Sequence, residues 1–107
     1  MALLKWSKWF YHVEGVYVIK PAGFSGPCKI GRSTNVPGRL ATLQAGSPQK
    51  LEVYAVYVGG VGVEAKAHAM LAEKRAHGEW FDVTPDEAVR SVVAAGGGIR
   101  IELPCVP

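Results

Sequence analysis

Three features of this 107-residue sequence are of a type and spacing that do chemistry. The first is Arg39, on the flank of an apolar helical stripe, about 40° from Leu43 and about 60° from Val36 at 100° per residue. A guanidinium there either snorkels to water or reaches along a sheet toward something anionic. The second is Glu64 with His68, an acid and an imidazole projecting together one turn apart on an Ala-rich helix. The third is Cys28-Lys29-Ile30-Gly31-Arg32, a β-like run in which Gly31 marks a close backbone approach to a neighbouring element or a ligand. Residues 15 to 39 are therefore either a phosphate-handling unit or a hairpin packed on a helix.

The elements that must hold these groups can be read in order. Val16 to Ile19 is a β-branched and aromatic run that suits a strand buried on both faces. Pro21, Gly23, Ser25, Gly26 and Pro27 form the turn to a returning strand over Cys28 to Arg32. Ser33, Thr34 and Asn35 offer N-caps, Pro37 fits a first helical turn, and Gly46 with Pro48 stops the helix. Leu51 to Val58 suits a central strand. Val63 to Arg75 reads as a helix with Val63, Ala67 and Met70 inward and Glu64, His68, Leu71 and Arg75 on the adjacent line.

Gly78 to Val83 is a short strand or ordered turn. Thr84-Pro85-Asp86-Glu87 is a capping box with proline at the first helical position, opening a helix to about Ala95. Ala88, Val89, Val92 and Val93 should face inward, and Gly96 to Gly98 should end the helix. Ile99 to Leu103 alternates as a half-exposed strand does. The order β-β-α-β-α-(β)-α-β predicts a small α/β (α+β) domain with a mixed or antiparallel sheet, because its first two strands are joined too closely for a parallel crossover.

Composition narrows the function classes. The chain should form a single domain over 1–107, with an aromatic N-terminal arm over 1–14 and a C-terminal helix and strand over 84–107. In that arm Trp6, Trp9 and Phe10 either stack on bases or dock on their own domain. A hydrophobic fraction of 49% and a charged fraction of 20% are ordinary for a folded soluble protein. A net charge of +3 tolerates a nucleic-acid partner without demanding one. No apolar run approaches the ~20 residues that span a bilayer, and Lys5 and Lys8 interrupt any leader-like core, so a cytoplasmic chain with no membrane partner is expected. Cys28 and Cys105 lack zinc or redox spacing, and His12, His68 and His77 add no short ligand motif.

Gly15-Val16-Tyr17, Lys29-Ile30-Gly31, Arg39 ten residues after Lys29, and Glu64 in the second helix resemble the GIY-YIG endonuclease superfamily. The resemblance is closest to its compact branch, with a K-I-G second half-motif and a closing G-E-W-F, here Gly78-Glu79-Trp80-Phe81. That branch includes phage-orf-type and meiotically up-regulated DNA-binding domains. The likeness spans about residues 15 to 83, and the ordered set carries it where single motifs would not.

The resemblance implies about three central strands flanked by helices, with DNA as partner and one divalent ion, Mg²⁺ or Mn²⁺, as cofactor. It implies a metal-dependent endonuclease in which Tyr17 lies near the attacking water, Arg39 holds the scissile phosphate and Glu64 binds the ion. His68 would sit behind the ion or touch phosphate, Lys29 would contact phosphate beside Tyr17, and Glu79 with Trp80 would lock the second helix to the sheet. Lys29, Arg32, Ser33, Asn35 and Arg39 form the expected nucleic-acid contact. Lys29 replaces the tyrosine of the broader second half-motif, so a DNA-binding module without cleavage is the alternative. A second is a protein-interaction domain using an exposed Ile99 to Leu103 edge. Target specificity would come from this domain, a homodimer or a partner protein.

Overall fold

The computed structural model describes residues 3–5 and 13–102. The chain runs β1 (Leu3–Lys5), β2 (Gly15–Pro21), β3 (Cys28–Ser33), α1 (Val36–Ala45), β4 (Leu51–Val58) and α2 (Val61–Met70). A 3-10 turn (Ala72–Lys74), β5 (Arg75–His77), β6 (Trp80–Phe81), α3 (Pro85–Ala94) and β7 (Arg100–Glu102) follow. One seven-stranded sheet has the order β1-β7-β4-β2-β3-β6-β5. Its pairs are antiparallel except β1 with β7. The class is as expected, with β4, β2 and β3 as the long centre, and short strands widen the sheet on both sides.

Strand alternation divides the core in two. Val16 and Val18 of β2, with Cys28 and Ile30 of β3, point to the face covered by α2 and α3, where Ala67, Phe81, Ala88 and Val92 meet them. Tyr17 and Ile19 point to the opposite face, against Val36, Leu40 and Leu43 of α1. Period-two alternation forces this: each strand must satisfy two different surroundings at once.

Local chemistry sets the helix starts. The Asn35 side-chain oxygen accepts the Gly38 N–H at 3.0 Å, and proline occupies the first turn of α1. At α3, Thr84 Oγ1 accepts the Glu87 N–H at 3.2 Å while Glu87 Oε1 accepts the Thr84 N–H at 3.4 Å. This is the reciprocal capping box read from the sequence.

Other expectations need correction. The second helix ends at Met70 instead of Arg75. Its end is tightened where the Leu71 N–H is shared by the Ala67 and His68 carbonyls at 3.3 and 3.2 Å. Residues 75–77 are then free to pair with β6. The change turns Met70 outward and brings Leu71 onto the core. On α3, Val93 is exposed and Ser91 takes an inward position, its hydroxyl donating to the Ala88 carbonyl at 2.8 Å.

The strand near the C-terminus is not an open edge: β7 lies between β1 and β4. That covers the surface on which a protein-interaction domain would have depended. Leu3 to Lys5 is strand, while Trp6, Trp9, Phe10 and Cys105 lie outside the described residues. No helix among the described residues is long and apolar enough to cross a membrane.

Candidate functional site

The edge of β3 is where the two faces of the sheet communicate. β6 pairs with β3 only at Cys28↔Phe81 and Lys29↔Trp80. Beyond that point the Ile30 N–H donates to the Glu79 carbonyl at 3.1 Å, and the Ile30 carbonyl accepts from His68 Nε2 at 2.7 Å. A carbonyl only accepts, so Nε2 carries a proton, and the neutral form of the ring has its lone pair on Nδ1. The His68 ring also rests against Phe81, with centroids 5.1 Å apart. A side chain of α2 thereby replaces a missing strand partner, and its neighbour Glu64 comes to the same rim.

On the α1 face, Tyr17 stands opposite Gly31 in the β2–β3 register. The tyrosine is 1% exposed. A Cβ built at Gly31 would collide with the Tyr17 hydroxyl and lie 2.5 Å from Cζ, so only glycine lets the phenol cross over β3. This is the close approach expected at Gly31, and the neighbour is Tyr17 itself. Burial pushes the phenol above its ordinary range; the Arg39 guanidinium beside it pulls the other way, and the Glu79 and Glu64 carboxylates push up again. Tyr17 in turn holds the exposed Arg39 guanidinium firmly protonated. Arg39 thus sits at the water-facing mouth of the phenol, neither buried nor turned away from it.

Lys29 completes the inner wall. Its residue is 9% exposed, its Nζ lies 3.2 Å from Glu79 Oε1, and it stands 5.8 Å from the centre of the Trp80 ring. A buried ammonium needs such a counterion and π-face. Glu79, expected with Trp80 to tie α2 to the sheet, stands between Lys29 of β3 and the Glu64–His68 pair of α2. One donor atom each from Glu64, His68 and Glu79 lies within 4.8 Å of the others. Two carboxylates fit a hard divalent cation that keeps several waters and borrows substrate oxygens. With Nε2 committed to the Ile30 carbonyl, Nδ1 is the His68 atom left to face an ion or its water shell.

The geometry brings Tyr17, Lys29, Arg39, Glu64 and His68 together and adds Glu79. The other expected contacts are engaged locally. Arg32 pairs with Glu14 at 2.9 Å, the Ser33 hydroxyl accepts the Asn35 N–H at 2.9 Å, and the Asn35 side chain caps α1. A shallow recess of about 330 Å³ lined by Ser25, Pro27, Asp82, Thr84 and Glu87 contains none of the cluster. The signal that could have exposed Glu79 was an acid adjoining a strand aromatic after Gly78, in a chain with an otherwise uncompensated strand lysine. Gly78, at φ +56°, supplies the turn that presents it.

No curated protein and no solved structure shows significant similarity to the chain. A family model, the T5orf172 domain, matches residues 14–95, which include every member of the cluster. With its fold and this span in agreement, the chain belongs to the T5orf172 domain family, a nuclease-associated family of the phage-reading-frame type.

Proposed function

We propose that this protein is a compact GIY-YIG-type endonuclease that hydrolyses DNA phosphodiester bonds with one Mg²⁺ or Mn²⁺. The observation that carries the reading is the meeting of a phenol, a guanidinium, a buried ammonium, an imidazole and two carboxylates at the uncovered edge of β3. Phosphodiester hydrolysis needs an aligned water, neutralisation of charge on the phosphoryl oxygens and a proton for the leaving group.

Arg39, exposed and planar, suits a bidentate grip on the phosphate. Lys29 adds a second positive charge from the floor. Burial keeps Tyr17 protonated at neutral pH, so its hydroxyl aligns the water or relays a proton unless a bound cation lowers its affinity for that proton. Glu64 and Glu79 would hold the divalent ion, with His68 supporting them. When bound, that ion supplies Lewis-acid neutralisation at the scissile phosphate.

Plasmid nicking is the direct test. The wild-type chain should nick supercoiled DNA with Mg²⁺ or Mn²⁺ and lose activity in EDTA. Glu64→Ala should remain folded and lose roughly 10²–10³-fold in rate, the scale seen when one transition-state contact is removed. Undiminished cleavage by Glu64→Ala would overturn the assignment of that carboxylate.

One observation favours a second reading, a DNA-binding module without cleavage. Lys29 is already neutralised by Glu79 where the broader superfamily carries a tyrosine. Salt-sensitive DNA binding that survives Glu64→Ala, with no product under either metal, would establish it.

A further inference from the structure

We infer that Glu79 is a carboxylate for which the Lys29 ammonium and a divalent cation compete, so that cation binding frees Lys29 for an anionic phosphate. This rests on the metal-dependent reading above and assigns the control of Lys29 within it. Glu79 is the residue of the cluster that touches both sides. Its Oε1 lies 3.2 Å from Lys29 Nζ, and one of its oxygens falls within 4.8 Å of donors from Glu64 and His68.

The burial of the pair is unequal: the Lys29 side chain is 11% exposed and the Glu79 side chain 38%. The ammonium is confined between Trp80 and its counterion, whereas the carboxylate stands at the rim and is the freer partner to turn. A carboxylate shared with a divalent ion cannot neutralise a lysine equally well. The ammonium and the ion also repel each other across it. Drawing Glu79 toward the ion leaves a desolvated ammonium without a counterion, two residues along β3 from the Gly31 that Tyr17 crosses. A phosphate oxygen is the anion that restores the balance. Cation and DNA should then bind cooperatively, each strengthening the other.

The alternative is that Glu79 anchors Lys29 and nothing more. A double-mutant cycle separates the two, with Mn²⁺ binding to the full chain measured without DNA by calorimetry or electron paramagnetic resonance. Glu79→Gln, which preserves shape, should weaken Mn²⁺ roughly 10- to 100-fold, the usual effect of losing a metal-site partner. Lys29→Met should tighten Mn²⁺ severalfold, and this gain should vanish when Glu79 is already Gln. Lys29→Gln provides the same comparison with a polar tip, should the methionine disturb folding.

Mg²⁺ titration of the wild-type chain should also move the lysine side-chain ¹³Cε resonance of Lys29, and not in Glu79→Gln. The inference is overturned if Glu79→Gln binds Mn²⁺ within twofold of wild type, or if Lys29→Met gains equally in both backgrounds. Nicking distinguishes this from the broader reading. Cleavage with unchanged Mn²⁺ affinity in Glu79→Gln sinks the inference alone. Absence of cleavage with the full cycle intact sinks the endonuclease assignment and leaves the competition for Glu79 standing.

Discussion

The two faces of the central sheet are made from the same strands and have opposite characters. Toward α2 and α3, β2 and β3 contribute Val16, Val18, Cys28 and Ile30, and the helices answer with Ala67, Ala88 and Val92. Toward α1, the same strands contribute Tyr17, Ile19, Lys29 and Gly31, and a single ten-residue helix covers them. Among the described residues, two helices cover one face, while one helix leaves the other open at the rim. The polar groups collect where cover fails. An apolar face needs only volume and shape, but a half-covered face can keep charged groups dry enough to interact and near enough to water to meet a ligand.

The comparison is broken most severely on the sealed side. Phe81 is fully buried against that core, and Phe81→Ala should cost about 3–5 kcal/mol in urea unfolding. DNA nicking measured at a temperature where the variant is still folded should fall much less than with Glu64→Ala. A rate loss without a stability loss would show that the sealed face takes part in chemistry.

Next comes alkali. Burial pushes the Cys28 thiol from 9.0 up to about 11, so the folded chain holds that proton more tightly than the unfolded one. The resulting stability is complete below pH 9.0 and is lost as pH rises through about 11, roughly 2–3 kcal/mol in all. Unfolding free energies across that range should slope downward in wild type and less steeply in Cys28→Ala; parallel slopes would refute the cause.

The smallest expected loss of stability lies on the open side. Gly31→Ala forces the Tyr17 ring to shift, which should cost about 1–3 kcal/mol. Unlike Phe81→Ala, it should depress nicking even at temperatures where the chain is fully folded, because Tyr17 leaves Arg39. Normal nicking by a folded Gly31→Ala protein would separate the phenol from the reaction.

Much of this was legible from local chemistry. The β2–β3 return, the Asn35 cap, the Thr84–Glu87 box and the pairing of Glu64 with His68 all follow from rules acting over a few residues. Tyr17, Lys29 and Arg39 were brought together by the resemblance to the GIY-YIG superfamily, since helix period alone left Arg39 free to snorkel to water. What local rules do not encode is where pairing stops. The end of β6 after two residues leaves Ile30 to be met by His68 and brings Glu79 to Lys29. Met70 and Val93 were misplaced for a related reason. The end of α2 is set by residues that later join a strand, and a run of valines on α3 does not say which of them meets a neighbour.

The parallel pairing of Leu4 with Ile101 joins positions near the two ends of the sequence. Contacts so distant in sequence close a loop of almost the entire chain, and loop closure is an entropic cost met before the pairing gives anything back. β2, β3 and β4 can assemble from neighbouring segments, whereas β1 must wait until β7 has been synthesised. On a ribosome β1, made before β2 to β7, is therefore the last of these strands to find its place. Completion of the sheet reports that β7 has emerged, while the surfaces that form the cluster can begin to organise before it.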